Sequence, residues 1–416
     1  MQCLRLSIRG KPSLRPSLLY AVTCLAAFSV HDPASHGLRA GGAPKSARIP
    51  AESREYDGLT LEKWRERIKS LDFRSEDAVQ AIPGLTAIVA DREAPWFNRR
   101  QAAMTLGRIG KPAASSLPVL RDCLSEPQPV EGPHPTTWVA SALGLFGPVA
   151  KDATPDLLKI AADRSRPVIQ RVAGIEALSQ IGPAHRQAIP ALRDLLTDED
   201  PIVQTAAAEG IAYLGPAAQV CVPTLTRLLR AGSPRMRFKS AQALAKMGPA
   251  AEIAIPAVVD ALVFDDSPEV RDEAGNILAA IRPASLDPLR QLPGDSDAEV
   301  RWRAVRALGL MGQLARPARA TLDAALEDPN ETVRAEALSA HWAVFASLDN
   351  ILPLAIELLQ STDRQQRIRA ARFLVDLGPR VRLVLPQLKT LQESPRPEVR
   401  RAAAQVIREL SDREIP

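Results

Sequence analysis

An all-α superhelix, a solenoid of about ten stacked helical hairpins, is the fold this sequence predicts, on three observations. A ten-residue phrase recurs in altered forms: "IGKPAASSLP" (Ile109–Pro118), "FGPVAKDATP" (Phe146–Pro155), "IGPAHRQAIP" (Ile181–Pro190), "LGPAAQVCVP" (Leu214–Pro223), "MGPAAEIAIP" (Met247–Pro256) and "LGPRVRLVLP" (Leu377–Pro386). An arginine-type position returns at Arg171, Gln204, Arg237, Arg271, Arg301, Arg334, Arg367 and Arg400, with spacings of 33, 33, 34, 30, 33, 33 and 33. The chain is 46% hydrophobic but only 4% aromatic, and rich in alanine, which favours close-packed helices over a β-rich core.

Residues 1–29 read as a signal peptide. Arg5, Arg9, Lys11 and Arg15 precede the apolar run "SLLYAVTCLAAFSV" (Ser17–Val30), and "AFS" (Ala27–Ser29) has the small–x–small form of a cleavage site. The alternative is an uncleaved N-terminal anchor, although the run is short against the roughly 20 apolar residues of a membrane span. No other stretch reads as a span. The four leader cations account for most of the +5 formal charge, so the remainder carries little excess for a polyanionic partner. Cys3 and Cys24 fall in the leader, and Cys123 and Cys221 alone do not make a disulfide framework.

Residues 30–58, with many Gly, Pro, Ser and charged residues and no apolar period, read as a flexible linker. From 59 to 416 the pattern is helical. "LTLEKWRERIKSL" (Leu59–Leu71) opens it, and the repeats follow. In each repeat a glycine is expected to close one helix in the left-handed conformation, and the proline eight residues on fits the first turn of the next. The two helices so joined are read as an antiparallel hairpin. At the other junction, "DEDPIV" (Asp198–Val203), "AGSPRM" (Ala231–Met236) and "DDSPEV" (Asp265–Val270) place an N-cap before a proline. Val300, Ala304, Ala307, Leu308 and Met311 share one helix face, as do Ile189, Leu192, Leu195 and Leu196. One hairpin cannot bury such faces alone, and stacking does.

"PEVRDEA", "VRWRAVRALGLMG" and "IGP…AIPALRDLLTD" carry a resemblance to the HEAT-repeat family, within it to the short bacterial type called PBS-lyase HEAT-like repeats. The resemblance covers roughly the last 350 residues and implies a protein-binding scaffold. Three places depart from the repeat: "ILAAIRPASLDPLRQL" (Ile277–Leu292) is short and has Arg282 at the turn glycine, "HWAVFASLDNILP" (His341–Pro353) lacks Gly-Pro, and "SEPQPVEGPHP" (Ser125–Pro135) is a long proline-rich insertion.

No catalytic, cofactor-binding or metal motif is present. His134, His185 and His341 of the repeat region stand apart, in no HxxH or HExxH spacing. HEAT-like metal hydroxylases of the deoxyhypusine type use His-Glu pairs, and the chain has no such dipeptide. Bilin–cysteine lyases and alkylpurine DNA glycosylases also resemble the repeat, without a matching motif. Taking the second helix of each unit as lining the concave side, the candidate interaction surface is Asp122, Lys159, Asp194, Arg227 and Asp260. Its mixed signs lack the basic track that a nucleic-acid groove needs. Trp302 and Phe238 are expected to face outward, while Trp96 and Trp138 serve packing.

The expected function is therefore an exported, non-enzymatic protein–protein interaction scaffold with no cofactor and a protein partner. The alternatives are a HEAT-like lyase or enzyme accessory acting on a small ligand or modified protein, and a nucleic-acid-binding HEAT-like protein. N-terminal sequencing of protein from its native host should find a start near Val30; an intact Met1 on cytoplasmic protein would overturn export.

Overall fold

The computed structural model describes residues 54–127, 132–182, 187–348 and 351–413, all within one compact unit spanning 50–416. The leader and most of the expected linker lie outside the described residues. The linker's last residues, however, are folded. Strands β1 (Glu55–Tyr56) and β2 (Leu59–Thr60) pair antiparallel around Asp57 (φ 52°) and Gly58 (φ 73°). Tyr56 is buried and donates its hydroxyl to Asp91 at 2.7 Å. The Asp-Gly pair, a two-residue hairpin turn, is the local signal that the composition obscures.

Helices α1 (Leu61–Ser70), α2 (Glu76–Gln80) and α3 (Ile82–Ala90) follow. The row then continues with α4 (Trp96–Ile109), α5 (Leu117–Cys123), α6 (Pro135–Phe146), α7 (Thr154–Ala162), α8 (Val168–Ile181), α9 (Ala188–Leu195), α10 (Pro201–Leu214), α11 (Val222–Ala231) and α12 (Pro234–Met247). It ends with α13 (Ile255–Phe264), α14 (Pro268–Ala280), α15 (Leu286–Gln291), α16 (Ala298–Met311), α17 (Arg319–Leu326), α18 (Glu331–Phe345), α19 (Ile351–Leu358), α20 (Arg364–Asp376), α21 (Leu385–Leu391) and α22 (Pro397–Arg413).

The solenoid is as expected, but the repeat is out of phase with the sequence reading. The close-packed hairpins are α3/α4, α5/α6 and so on to α21/α22, ten in all, most of them joined through short junctions and α5/α6 through the longer insertion Ser125–Pro135. The helices flanking a Gly-Pro turn, such as α12 and α13, make little contact with each other. The reason is the turn itself. At Gly248, φ is 56° but ψ is −132°, a region for glycine alone rather than the left-handed helical one. A seven-residue 3-10 segment, Gly248–Ala254, then carries the chain on to the next hairpin. By composition and length Pro234–Phe264 is apolar enough to cross a membrane, against expectation. In the fold it is two helices broken at Gly248, each packed into a different hairpin.

The hairpin junctions are capped as their residues require. Asp200 accepts from the backbone N–H groups of Ile202 and Val203, and Ser267 from that of Val270. Below them lies a clamp that links neighbouring hairpins. Arg171 of α8 reaches the next junction and binds Asp198 through both terminal guanidinium nitrogens, with both side chains buried. Arg237 holds Asp265 (2.8 and 3.0 Å) and Arg301 holds Asp328 (2.8 and 2.9 Å) in the same fork. Arg99 holds Glu126 at 2.7 and 2.9 Å. The next arginine-type residue takes the backbone of the same acid. Gln204 donates to the Asp198 carbonyl, Arg271 to that of Asp265 and Arg334 to that of Asp328. Each of these three acids is thus gripped by its side chain from one hairpin and by its carbonyl from its own.

Burial pushes the Asp198 and Asp328 carboxyls up. Hydrogen bonds from Arg171 and Arg301, with backbone N–H groups of Asp200 and Asn330, outweigh it and hold both below the ordinary carboxylate value. Removing one partner strands a buried charge, so Asp198→Ala is expected to cost about 3–5 kcal/mol in urea denaturation. Replacing both partners by apolar residues, Arg171→Met with Asp198→Leu, should recover most of that loss. Because the folded carboxyl titrates low, its contribution is complete above the unfolded value of about 3.9 and vanishes as pH falls through the folded one. The parent protein should therefore lose more stability on acidification than Asp198→Ala does.

Candidate interaction surface

Two helical layers emerge from the corrected phase. One contains the even-numbered helices α4 to α22, the other the odd-numbered α3 to α21. Successive even-numbered helices pack along their lengths, whereas successive odd-numbered helices touch at few points. The close approach is built from small residues. A Cβ on Gly107 would fall 2.7 Å from the Ala142 carbonyl, and one on Gly309 2.8 Å from Ala340 Cα. Two layers of unequal spacing close into an arc whose denser layer is inside, so the even-numbered helices line the inner face.

Asp122, Lys159, Asp194, Arg227 and Asp260 are all exposed, but they lie on α5, α7, α9, α11 and α13, in the splayed outer layer. The sequence reading placed them on the concave side because it cut the repeat at the wrong junction. No described ion pair joins two of the five. Asp194 meets Arg193 of its own helix at 2.9 Å, and Asp260 meets Arg230 at 3.4 Å. Trp302 and Phe238 are half-buried against the core instead of facing outward, with the Arg303 guanidinium 4.4 Å from the Trp302 ring centre. Trp138 is buried, as expected of a packing residue, and Trp96 is half-buried.

On the inner face, Glu176 of α8 and Glu209 of α10 occupy equivalent positions 33 residues apart. Glu176 is reachable by solvent yet crowded by protein. That crowding pushes its carboxyl up, and the Glu209 charge adds to the shift. Glu209 meets Lys239 of α12 at 2.8 Å. Farther along, Glu336 is raised by burial against the opposing pull of Arg369 and Arg306, and Arg369 stands 3.3 Å from it. Large apolar side chains stand in solvent on the same layer of helices: Ile169 (62% exposed), Ile202 (55%), Tyr213 (52%) and Leu310 (51%). The sequence carried this signal in the exposed positions of the "PIVQTAAAEGIAYLG" type of helix, which the phase error assigned to the wrong side.

Chemistry-bearing side chains elsewhere serve structure. Among the described residues no group of three His, Cys, Asp or Glu side chains is placed to hold a metal ion. His341 is buried, with Nε2 3.0 Å from Asp323 and its ring against Phe345. The Nδ1 of His134 accepts from the Thr136 N–H at the start of α6. His185 lies outside the described residues. Cys123 and Cys221 are buried free thiols.

The profile of HEAT repeats matches residues 136–212, 189–276 and 255–342. Two of these segments begin at the outer helices α9 and α13, in the phase of the packed hairpins. Residues 136–342 therefore carry HEAT repeats. Among solved structures, yeast importin-β (Kap95p) is 15% identical over 84% of this chain and 53% of that chain, with a TM-score of 0.53. Kap121p is 14% identical over 84% of this chain and 43% of that chain, with a TM-score of 0.50. At these identities the likeness is one of fold, and the chain spans about half the length of both. No curated protein sequence matches it.

Burial pushes the Cys123 thiol up to about 12 and the Cys221 thiol to about 11. Both are therefore protonated and enclosed at neutral pH, where a thiolate is the reactive form. A thiol reagent such as Ellman's should leave both unmodified in native protein and label both after denaturation. Rapid labelling of either in folded protein would contradict this burial.

Proposed function

We propose that the protein is a non-enzymatic protein-interaction scaffold of the bacterial PBS-lyase HEAT-like type, exported by its leader, that receives its partner on the inner face. The observation that carries this reading is the set of exposed apolar side chains Ile169, Ile202 and Tyr213 on the same two helices as Glu176, whose carboxyl protein crowds, and Glu209. Apolar anchors among charges are what a protein partner uses, because the anchors supply affinity and the charges fix register. The surface lies on close-packed helices, so binding orders little that is not already ordered. The two glutamates favour a partner that presents Lys or Arg among apolar side chains. The mixed charges along the row, from Glu209 through Lys239 to Glu336 and Arg369, give no continuous cationic track for a nucleic acid.

Charge reversal separates this face from the outer one. Glu176→Lys with Glu209→Lys should weaken capture of the native partner from the envelope fraction by about tenfold or more, with the melting temperature nearly unchanged. Asp194→Arg with Arg227→Asp, on the outer layer, should change neither. Unaltered capture by the folded inner-face variant would sink the proposal.

A further inference from the structure

The inner helices α8 to α20 repeat one pattern, so each offers solvent the same positions. Five residues after each arginine-type residue stands a side chain that is exposed or half-buried in every one of them. It is glutamate in α8 and α10 (Glu176, Glu209) and an amide in α12 and α14 (Gln242, Asn276). In α16 and α20 it is arginine (Arg306, Arg372), with the uncharged Ser339 of α18 between them. The position passes from anionic through neutral to cationic along the row. The helices agree in net charge, since α10 holds one acid and no cation, whereas α20 holds four arginines and one acid.

Neighbouring charges pair off and leave this gradient standing. Arg303 takes Asp272 at 2.6 Å and Glu299 at 2.8 Å, and Arg369 takes Glu336 at 3.3 Å. Asn276 donates to Glu273 at 2.9 Å. Lys239 meets both Glu209 and Gln242, yet leaves the Glu209 side chain 59% exposed. Among the described residues the side chains of Glu176, Arg306 and Arg372 have no hydrogen-bond or ion-pair partner. Apolar anchors accompany both ends: Ile169 and Ile202 on α8 and α10, and Leu310 one turn beyond Arg306.

We infer that the inner face takes an elongated polypeptide segment of another protein in one direction, its Lys or Arg end over α8 and α10 and its Asp or Glu end over α16 to α20. Packed helices stand roughly 8–10 Å apart, so the row from α8 to α20 spans on the order of 50–60 Å. An extended segment rising about 3.3 Å per residue covers that with roughly 15–18 residues. A compact ligand cannot reach both ends. Opposite charges at the ends admit one orientation and repel the other. The inference deepens the scaffold reading and rests on it: that reading needs the acidic end alone, whereas the gradient also requires the distant arginines.

The test uses the full chain and three fluorescent synthetic peptides of equal length with the same leucines. One has lysines at one end and aspartates at the other, one has lysines at both ends, and one has aspartates at both. Anisotropy should show the bipolar peptide binding about tenfold or more tighter than either of the others. Glu176→Lys with Glu209→Lys, and separately Arg306→Glu with Arg372→Glu, should each weaken it by about tenfold or more. All four changes together reverse the gradient, and the peptide, turned end for end, should recover most of its binding. Arg306→Gln with Arg372→Gln serves if reversal within the field of Glu336 unfolds the protein, and should weaken binding by about threefold or more. Equal binding of the three peptides overturns the inference. So does parent-like binding by an end variant, or no recovery in the fourfold variant, when thermal melts match the parent's. Self-association lost in either end variant would make a second copy the occupant, and tighter binding of a single-stranded oligonucleotide than of peptide would make it a nucleic acid; either overturns the polypeptide. Native-partner capture lost in Glu176→Lys, Glu209→Lys but kept in folded Arg306→Glu, Arg372→Glu leaves the scaffold reading standing and removes the gradient.

Discussion

Asp198 is held twice, and the continuity of the solenoid depends on that arrangement. Its carboxylate belongs to Arg171 of the preceding hairpin and its carbonyl to Gln204 of its own. A solenoid has no long-range contacts to fix its geometry, since each repeat meets only its neighbours. Apolar packing between helices is tolerant of sliding, whereas a buried two-pronged fork to a carboxylate permits one register. The same grip recurs at Asp265 and Asp328, so hairpins are tied in consecutive pairs. Within a tied pair the junction can neither slide nor open without exposing an unpaired charge to the interior.

That constraint also explains which parts of the fold were legible. The arginine period and the caps are local patterns, and a single turn of helix or one junction suffices to read them. The acids that complete the clamp stand 27 or 28 residues later, in junctions already explained by capping at Asp200 and Ser267. One role hid the other: the Asp198 carboxylate accepts the Asp200 N–H as any turn residue does, while its remaining bonds come from Arg171. The repeat's phase was hidden for a similar reason. A Gly-Pro turn and an Asp-Pro junction both end one helix and begin another, and only packing tells a hairpin from a connector. What distinguishes them physically is direction: Gly248 (φ 56°, ψ −132°) and the 3-10 segment Gly248–Ala254 lead the chain onward, so α12 and α13 do not pack on each other.

The phase then decides the surface. Asp194 and Arg227 are exposed as expected, yet on helices that splay apart, where the outer layer offers a discontinuous face. The inner layer draws its closeness from Gly107 and Gly309, whose missing side chains let backbones meet. Its exposed positions are correspondingly crowded. A glutamate that solvent reaches but protein surrounds, as at Glu176, marks a recessed surface in a way that no sequence spacing reveals.

The irregular connectors take on meaning against the paired clamps. The arginine spacing shortens to 30 between Arg271 and Arg301, and α15 has only six residues. Arg271 grips its own junction through the Asp265 carbonyl, as Arg334 does through that of Asp328, while its buried Nε has no described partner. Downstream, Arg301 and Asp328 tie the next two hairpins together, and α18 ends at Ala346 without a Gly-Pro turn. The two departures therefore fall on either side of one tied pair, at boundaries between pairs and not within them. Departures of this kind can change stacking at the boundary while leaving the clamp intact.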